Sequence, residues 1–191
     1  MCLFAYIHQN VIHKISLYSF DICFYTFCRK HIETLSTIQL MNIVKTIEQY
    51  DDRCVYFCDP IKNNIMNDGS FIRILYSTHY LQLNGIYLLV VINDVVCDKY
   101  YDKYRCMFNV NTHKDLINNL KNIEETILTK IAIKNKLPQH KIYEQFKNGN
   151  IKIFNDIVDK LSHSFILKIS GVWETQHNYG LTYKFITPSK I

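Results

Sequence analysis

The chain closes with two stretches of alternating apolar and polar side chains, Phe165-Ile166-Leu167-Lys168-Ile169-Ser170-Gly171-Val172-Trp173 and Leu181-Thr182-Tyr183-Lys184-Phe185-Ile186. Alternation with a period of two is typical of a β-strand that places one face on a core. A polar connection from residue 174 to residue 180 separates the two stretches. They therefore predict an antiparallel β-hairpin.

Shorter strands are predicted upstream of this hairpin. Residues 71–77 and 105–110 alternate, residues 54–58 form a short apolar run, and residues 86–92 are continuously apolar, as in a central strand. Turn residues stand between them, at Asn67-Asp68-Gly69-Ser70 and at Asn84-Gly85. A polar, aromatic loop is predicted for residues 93–104, a brief strand at Ile151 and Ile153, and a helical turn at residues 155–162.

The middle of the chain changes to a helical period. Apolar side chains recur at three- and four-residue spacing at Leu116, Leu120, Ile123, Ile127 and Ile131. This spacing predicts a one-sided amphipathic helix of about five or six turns, with Thr112 as its N-cap. The order of elements is thus several strands, a long helix and a closing hairpin.

This order predicts an α+β fold that is mainly antiparallel β. A long helix inserted before the last strands of a five-stranded barrel is the order of an OB-fold. A generic α+β sheet with a helix on one face fits the same order. Residues 41–191 are assigned to this OB-like binding domain, and the aromatic-rich residues 1–40 to an N-terminal extension. Translation from Met41 would explain the same boundary.

Composition and charge favour an intracellular binding protein. The 191 residues are 48% hydrophobic and 20% charged, as in globular chains, and the net charge of +5 favours a polyanionic partner. The seven cysteines contain no CxxC pair and are expected to be reduced. No uncharged apolar run reaches the roughly 18 residues of a membrane span, so no membrane partner is expected.

The sequence contains no recognisable catalytic motif. P-loop, GxGxxG, GxSxG and HExxH patterns are all absent. A two-metal nuclease would need several acids to converge, and the acids available for it lie in turns and loops: Asp51, Asp52, Asp94, Asp98 and Asp102. Cys106 with His113 is the one nucleophile pair that sequence proximity suggests. We expect no enzyme, no metal and no cofactor.

Aromatic and basic residues are interleaved on the predicted β-elements. Single-stranded nucleic acid is held by cations that neutralise phosphates and by rings that stack on bases, at about 1–3 kcal/mol per base. Phosphate contacts are expected from Arg73, Lys103, Arg105, Lys168 and Lys184. Stacking is expected from Tyr76, Tyr101, Tyr104 and Trp173. The structural alternatives are that Trp173 closes the end of the barrel and that residues 99–105, which we call the Lys/Tyr loop, are an ordinary solvated loop.

Two pairs of stretches also resemble a known family. They are Phe71-Ile72-Arg73-Ile74-Leu75-Tyr76-Ser77 with Leu83-Asn84-Gly85-Ile86-Tyr87, and Leu167-Lys168-Ile169-Ser170-Gly171-Val172-Trp173-Glu174 with Tyr179-Gly180-Leu181-Thr182-Tyr183-Lys184-Phe185. Over residues 50–186 the chain resembles small OB-fold single-stranded-DNA-binding proteins of large DNA viruses, comparable to the phage replication type.

The resemblance implies a protein that coats exposed strands during viral DNA replication, recombination or repair. It implies a location in the host nucleus or at a cytoplasmic viral replication site, with replication proteins as further partners. The basic end Thr187-Pro188-Ser189-Lys190-Ile191 departs from the acidic tail of phage-type proteins, which puts tail-mediated recruitment in doubt. The competing hypotheses are a protein-interaction or virion structural component and, third, a metal-dependent nuclease. RNA as the ligand and a homo-oligomeric state stay open.

Overall fold

The computed structural model describes residues 44–63, 69–101, 103–153 and 163–188. The predicted N-terminal extension at residues 1–40 and the helical turn predicted at residues 155–162 lie outside these ranges. Two helices are present within them, α1 (Lys114–Ile131) and α2 (Lys141–Lys147), with short 3-10 turns at Asp52–Cys54 and Val110–His113.

The described ranges contain eleven strands. They are β1 (Val55–Phe57), β2 (Ile61–Lys62), β3 (Ser70–Ser77), β4 (Gln82–Asn84), β5 (Ile86–Val91), β6 (Val96–Tyr100), β7 (Lys103–Met107), β8 (Leu137–Gln139), β9 (Asn150–Ile153), β10 (Ser164–Glu174) and β11 (Asn178–Ile186). The predicted closing hairpin is confirmed, because β10 and β11 pair antiparallel along most of their length. The brief strand around Ile151 is confirmed as β9.

The strands form one open, mostly antiparallel sheet. Its main path is β1-β3-β10-β11-β9-β7-β6, and β8 and β9 pair parallel with β11. Strand β10 is central, since β3 pairs with its second half and β5 with its first half. The α+β class and the long helix before the closing hairpin are confirmed. The sheet is open and has more strands than the five of the OB-like barrel that the sequence predicted.

A β-bulge in β10 decides which side chains face the core. Leu167, Ile169 and Val172 are fully buried, although Val172 breaks the alternation of the other two. The register against β11 shifts between Ile169 and Gly171. Because a bulge inserts one extra residue into a strand, the side chains beyond it change face. Trp173 therefore lies on the side of the sheet opposite the core-facing residues.

The two helices cover one face of the sheet and enclose the core. The Tyr179 hydroxyl donates to the Leu128 carbonyl of α1 at 3.4 Å. The ring of Phe146 in α2 lies 5.7 Å from that of Phe185 on β11, measured between centroids. Helix α1 has 18 residues, or about five turns, as predicted. We call the face that carries α1 and α2 the inner face and the opposite one the outer face.

The start of α1 differs from the prediction. Its N-cap is His113, which makes no side-chain capping bond, and not Thr112. The chain enters through the 3-10 turn, where the Asn109 side chain accepts the Asn111 N–H at 2.9 Å and Thr112 Oγ1 donates to the Asn109 carbonyl. The buried His113 ring accepts the Asn93 N–H at Nε2, 3.0 Å away, and so ties the chain after β5 to the helix.

A carboxylate of α1 caps the short helix α2. Glu124 is fully buried and accepts the N–H groups of Ile142 and Tyr143 at 3.0 and 2.8 Å. These are first-turn donors, which a helix cannot satisfy itself. Burial raises the pKa of Glu124 to about 7, against the opposing effect of these two hydrogen bonds. A helix of seven residues is marginal alone, so α2 depends on this cap and on its packing.

The raised pKa of Glu124 predicts that the free energy of unfolding falls as the pH rises. Between about pH 4.5 and pH 7 the folded protein holds a proton on Glu124 that the unfolded chain has released. The stabilisation linked to this proton is complete below the unfolded pKa and is lost as the pH rises through the folded pKa. We expect a loss on the order of 3 kcal/mol from this group, measured as the free energy of unfolding in urea. Glu124→Gln should remove this slope, whereas Glu125→Gln, at the exposed neighbouring position, should retain it.

Candidate functional site

The outer face of the closing hairpin carries two lysines side by side. On β10, Lys168 stands between the buried Leu167 and Ile169 and therefore points away from the core. On β11, Lys184 precedes the buried Phe185 and is exposed. Lys168 and Lys184 are directly opposite each other in the antiparallel register. Two like charges thus meet on adjacent strands.

The same row continues across the next two strands. Phe185 pairs with Ile153 of β9, and both are buried, so the preceding residues Lys184 and Lys152 lie next to each other on the outer face. Lys152 is in turn directly opposite Arg105 of β7. We call Lys168, Lys184, Lys152 and Arg105 the cation row. At about 4.8 Å between strands, it extends for about 14 Å.

The cation row is poorly compensated by acids. Lys184, Lys152 and Arg105 are exposed, and no carboxylate in the described part of the chain forms an ion pair with any of them. Asp98 stands opposite Arg105 on β6 without forming one. Lys168 instead lies over the ring of Tyr87 on β5, with Nζ 4.9 Å from its centroid. The row can therefore present several positive charges in a line.

Aromatic rings lie on the outer face at the far end of β10. Phe71 and Trp173 are directly opposite each other, and both are half-buried. A Cβ atom on Gly171 would come within 2.4 Å of the Phe71 ring, and one on Gly180 within 2.7 Å of the Trp173 ring. Each ring thus covers the backbone of a glycine. Arg73, exposed and opposite Gly171, lies beside them on the same face.

All five residues that are predicted to contact phosphate lie on the outer face. Arg73, Lys168 and Lys184 were placed on this face above. Lys103 and Arg105 lie on it too, because they have the opposite parity along β7 to Cys106, which is fully buried in the core. Trp173, a predicted stacking residue, lies there too. Sequence reasoning missed Lys152 and Tyr87. Lys152 could have been found, since it stands between the core residues Ile151 and Ile153.

The predicted tyrosines have three different environments. Tyr101 is 80% exposed in the turn of the β6–β7 hairpin. Tyr104 is half-buried and packs against the core, with Lys99 Nζ 6.0 Å from its ring centroid. Tyr76 is only 2% exposed, and its hydroxyl accepts the Asp51 N–H at 3.1 Å. A ring sealed in the core offers no face to a base, so Tyr76 is corrected to a core residue.

A polar cleft of about 540 Å³ lies at the β7 end of the cation row. Its lining consists of Lys103, Tyr104, Arg105, Asn148, Asn150 and Lys152. We call this the basic cleft. Lys103, Tyr104 and Arg105 come from the predicted Lys/Tyr loop. Asn148 comes from the turn between α2 and β9, and Asn150 is the first residue of β9. The asparagines could not be predicted, because nothing in the sequence places this turn beside β7.

The segment predicted as a loop at residues 93–104 is largely a β-hairpin. Strands β6 and β7 pair antiparallel, and Cys97 is directly opposite Cys106. The two cysteines form a disulfide, which corrects the expectation of reduced thiols for this pair, while Cys54 and Cys58 are free. The bond joins the hairpin strands on the side opposite Arg105. It therefore fixes β6, which pairs with β7 alone among the described strands.

Reducing this disulfide is expected to lower the free energy of unfolding by about 2–3 kcal/mol, because the unfolded chain then loses a crosslink over a sequence separation of nine residues. Urea unfolding with and without dithiothreitol measures the difference. The double variant Cys97→Ala with Cys106→Ala should unfold at one urea concentration under both conditions. Equal midpoints for the native chain under both conditions would contradict the prediction.

Within the described ranges, the side chains form neither a cluster that could hold a metal ion nor the nucleophile pair that the sequence suggests. No group of three or more His, Cys, Asp or Glu side chains there is placed to hold a metal ion. Asp51, one of the acids weighed for a nuclease, pairs with Arg53 at 2.8 Å. Cys106 is in the disulfide and the His113 ring holds the backbone, so they do not form a nucleophile pair.

Neither α1 nor α2, the helices of the described ranges, is long and apolar enough to cross a membrane. No protein-family model, curated protein or solved structure matches the chain.

Proposed function

We propose that the protein binds single-stranded DNA through its outer face, with little dependence on base sequence. The observation that carries this proposal is the cation row, which places four positive charges on four adjacent strands. Like charges directly opposite each other on neighbouring strands are destabilising. A polyanion that neutralises them offsets this cost, and its phosphates would release counterions on binding.

The aromatic rings on the same face favour an unpaired strand. A base can stack on a ring only when its own face is free, as in single strands. Trp173, Phe71 and Tyr87 are half-buried on the outer face, next to Arg73 and Lys168. Every base has a π-face, so such contacts tolerate any sequence. Tyr101, at the exposed hairpin turn, would add a further ring.

The element order supports a relation to OB-fold binders of large DNA viruses. The long α1 precedes the closing hairpin, and β3, β10 and β11 share one face that carries Phe71, Arg73, Lys168, Trp173 and Lys184. On this proposal the protein is a non-enzymatic, intracellular factor in viral DNA replication, recombination or repair. An OB-like barrel within the open sheet is the finer proposal on the fold.

Titration with short oligo-dT at low salt tests the proposed function. The single tryptophan lies on the outer face, so we expect its fluorescence to be quenched as the anisotropy of a labelled oligonucleotide rises. If the whole cation row contacts phosphates, log K should fall with log salt with a slope of about −2.8. A duplex of the same length is the control and should bind more weakly. Unchanged anisotropy and fluorescence at low salt would overturn the proposal.

A second function is favoured by a separate observation. Tyr80 and Tyr101 are 96% and 80% exposed, and exposed tyrosines are common in protein-recognition surfaces. A protein-interaction or virion component would use such side chains without nucleic acid. Pull-down of a defined partner that is lost in Tyr101→Ser, together with no binding to oligo-dT, would select this function.

A further inference from the structure

We infer that the basic cleft is a binding site for a terminal phosphate of the DNA strand. The inference rests on the proposed function and assigns one part of the outer face to the strand's end. The ligand class is a phosphomonoester on a 5′ or 3′ terminus. The remaining part of the cation row would contact internal phosphodiesters.

The lining of the basic cleft is held by regular pairing and a fixed turn. Arg105 and Lys152 are directly opposite in the β7–β9 register, and Lys103 lies two residues along β7 on the same face. The α2–β9 turn contains Gly149 at φ 63°, whose carbonyl accepts the Phe108 N–H at 3.0 Å. A Cβ atom at Gly149 would lie 2.8 Å from the Phe108 carbonyl oxygen, so this approach requires glycine.

The amides beside this turn complete the lining. Asn150 Nδ2 donates to the Asn148 carbonyl at 3.1 Å. This hydrogen bond orients the Asn150 side chain at the start of β9. Both asparagines line the cleft together with the three cations. Its volume of about 540 Å³ lies within the range of about 300–1,000 Å³ that small-ligand sites occupy. A phosphate with its terminal nucleotide is a ligand of that size.

The charge of the cleft distinguishes an end from an internal phosphate. Elsewhere on the row each strand supplies one cation, whereas Lys103, Arg105 and Lys152 surround a single cleft. An internal phosphodiester carries one negative charge. A terminal phosphomonoester carries about −1.5 to −2 at pH 7, because its second pKa is about 6. Three cations around one space therefore match the monoester better.

The position of the cleft agrees with this assignment. It lies at the β7 end of the cation row, and the Phe71 and Trp173 rings lie on β3 and β10 toward the other end of the sheet path. A strand that follows the row from the rings reaches the cleft last. Its terminus would then lie in the cleft while its bases stack on the rings.

The test compares oligo-dT carrying a 5′-phosphate, a 3′-phosphate or two hydroxyl ends, each with an internal fluorophore so that both ends are free. We expect one of the phosphorylated oligonucleotides to bind about tenfold more tightly than the hydroxyl one near pH 7.5. Near pH 5, where the monoester loses its second charge, the difference should shrink. Anisotropy at a constant salt concentration gives the dissociation constants.

Two variants of the cation row separate this inference from the proposed function. Lys152→Gln, in the cleft, should remove the preference for the phosphorylated end. Lys184→Gln, next to it on β11 and outside the cleft, should weaken all three oligonucleotides alike and retain the preference. Equal binding of all three by the native chain would overturn the terminal-phosphate site and leave strand binding intact. No binding of any of them would overturn both.

Discussion

Lys168→Gln combined with Lys184→Gln is expected to weaken the binding of unphosphorylated oligo-dT about 25-fold at 0.1 M salt. Each phosphate contact on a single strand contributes salt concentration to the power of about −0.7, which is about fivefold at that salt. Removing two contacts therefore multiplies two such factors and makes the slope of log K against log salt shallower by about 1.4. Anisotropy titrations at several salt concentrations measure both quantities.

A matched double variant controls for net charge. Lys114→Gln with Lys134→Gln removes the same charge from exposed positions on and just after α1, and we expect its affinity to change less than about twofold. The row variant should also unfold at the same or a higher urea concentration than the native chain, because a pair of adjacent like charges has been removed. Equal losses of affinity in both double variants would show that binding depends on overall charge and not on the row.

Phe146→Ala is expected to lower the free energy of unfolding by about 3–5 kcal/mol. Phe146 is fully buried, and its ring lies between those of Phe108 and Phe185, at centroid distances of 5.5 and 5.7 Å. Its truncation leaves a cavity where α2 meets the sheet, and so short a helix depends on its packing there. Urea unfolding followed by far-UV circular dichroism measures the change.

The same substitution is expected to affect the outer face. Phe108 directly follows β7, and Phe185 directly follows Lys184 on β11, so the Phe146 ring packs beside two of the four strands that bear the cation row. Phe146→Leu, which fills most of the cavity, should recover at least half of the lost stability. A loss of less than about 1 kcal/mol in Phe146→Ala would contradict the packing described for α2.

The regular parts of the fold could be predicted because their periodicity is strong. Strand β10, strand β11 and helix α1 each repeat an apolar side chain at the spacing of one buried face. The β6–β7 hairpin has a weaker signal, since Val96 and Met107 on one face are exposed, and the charged Lys99 interrupts the other face, which carries Cys97, Tyr104 and Cys106. Strand β8 contains Pro138 and is held by its parallel pairing with β11, which local propensity does not show.

The candidate site was predictable wherever alternation separates core from surface. Lys168 and Lys184 stand between buried neighbours, and their charge identifies the opposite face. Proximity to Arg73 in the sequence predicts Tyr76 as a stacking residue, although Tyr76 shares the parity of Ile72 and Ile74, which are core residues. Residues that come together only through long-range pairing, such as Lys152 with Arg105, could not be inferred from spacing.

The bulge in β10 makes the number of residues in that strand as important as their identity. Leu167 and Trp173 have the same parity in sequence, yet one is core and the other lies on the outer face. Pairing Ser170 in strict alternation would instead turn the indole inward and Val172 outward. Deleting Ser170 would remove the extra residue and leave both side chains on their present faces. Natural variants of this strand should consequently either keep the bulge or lack one residue at this point.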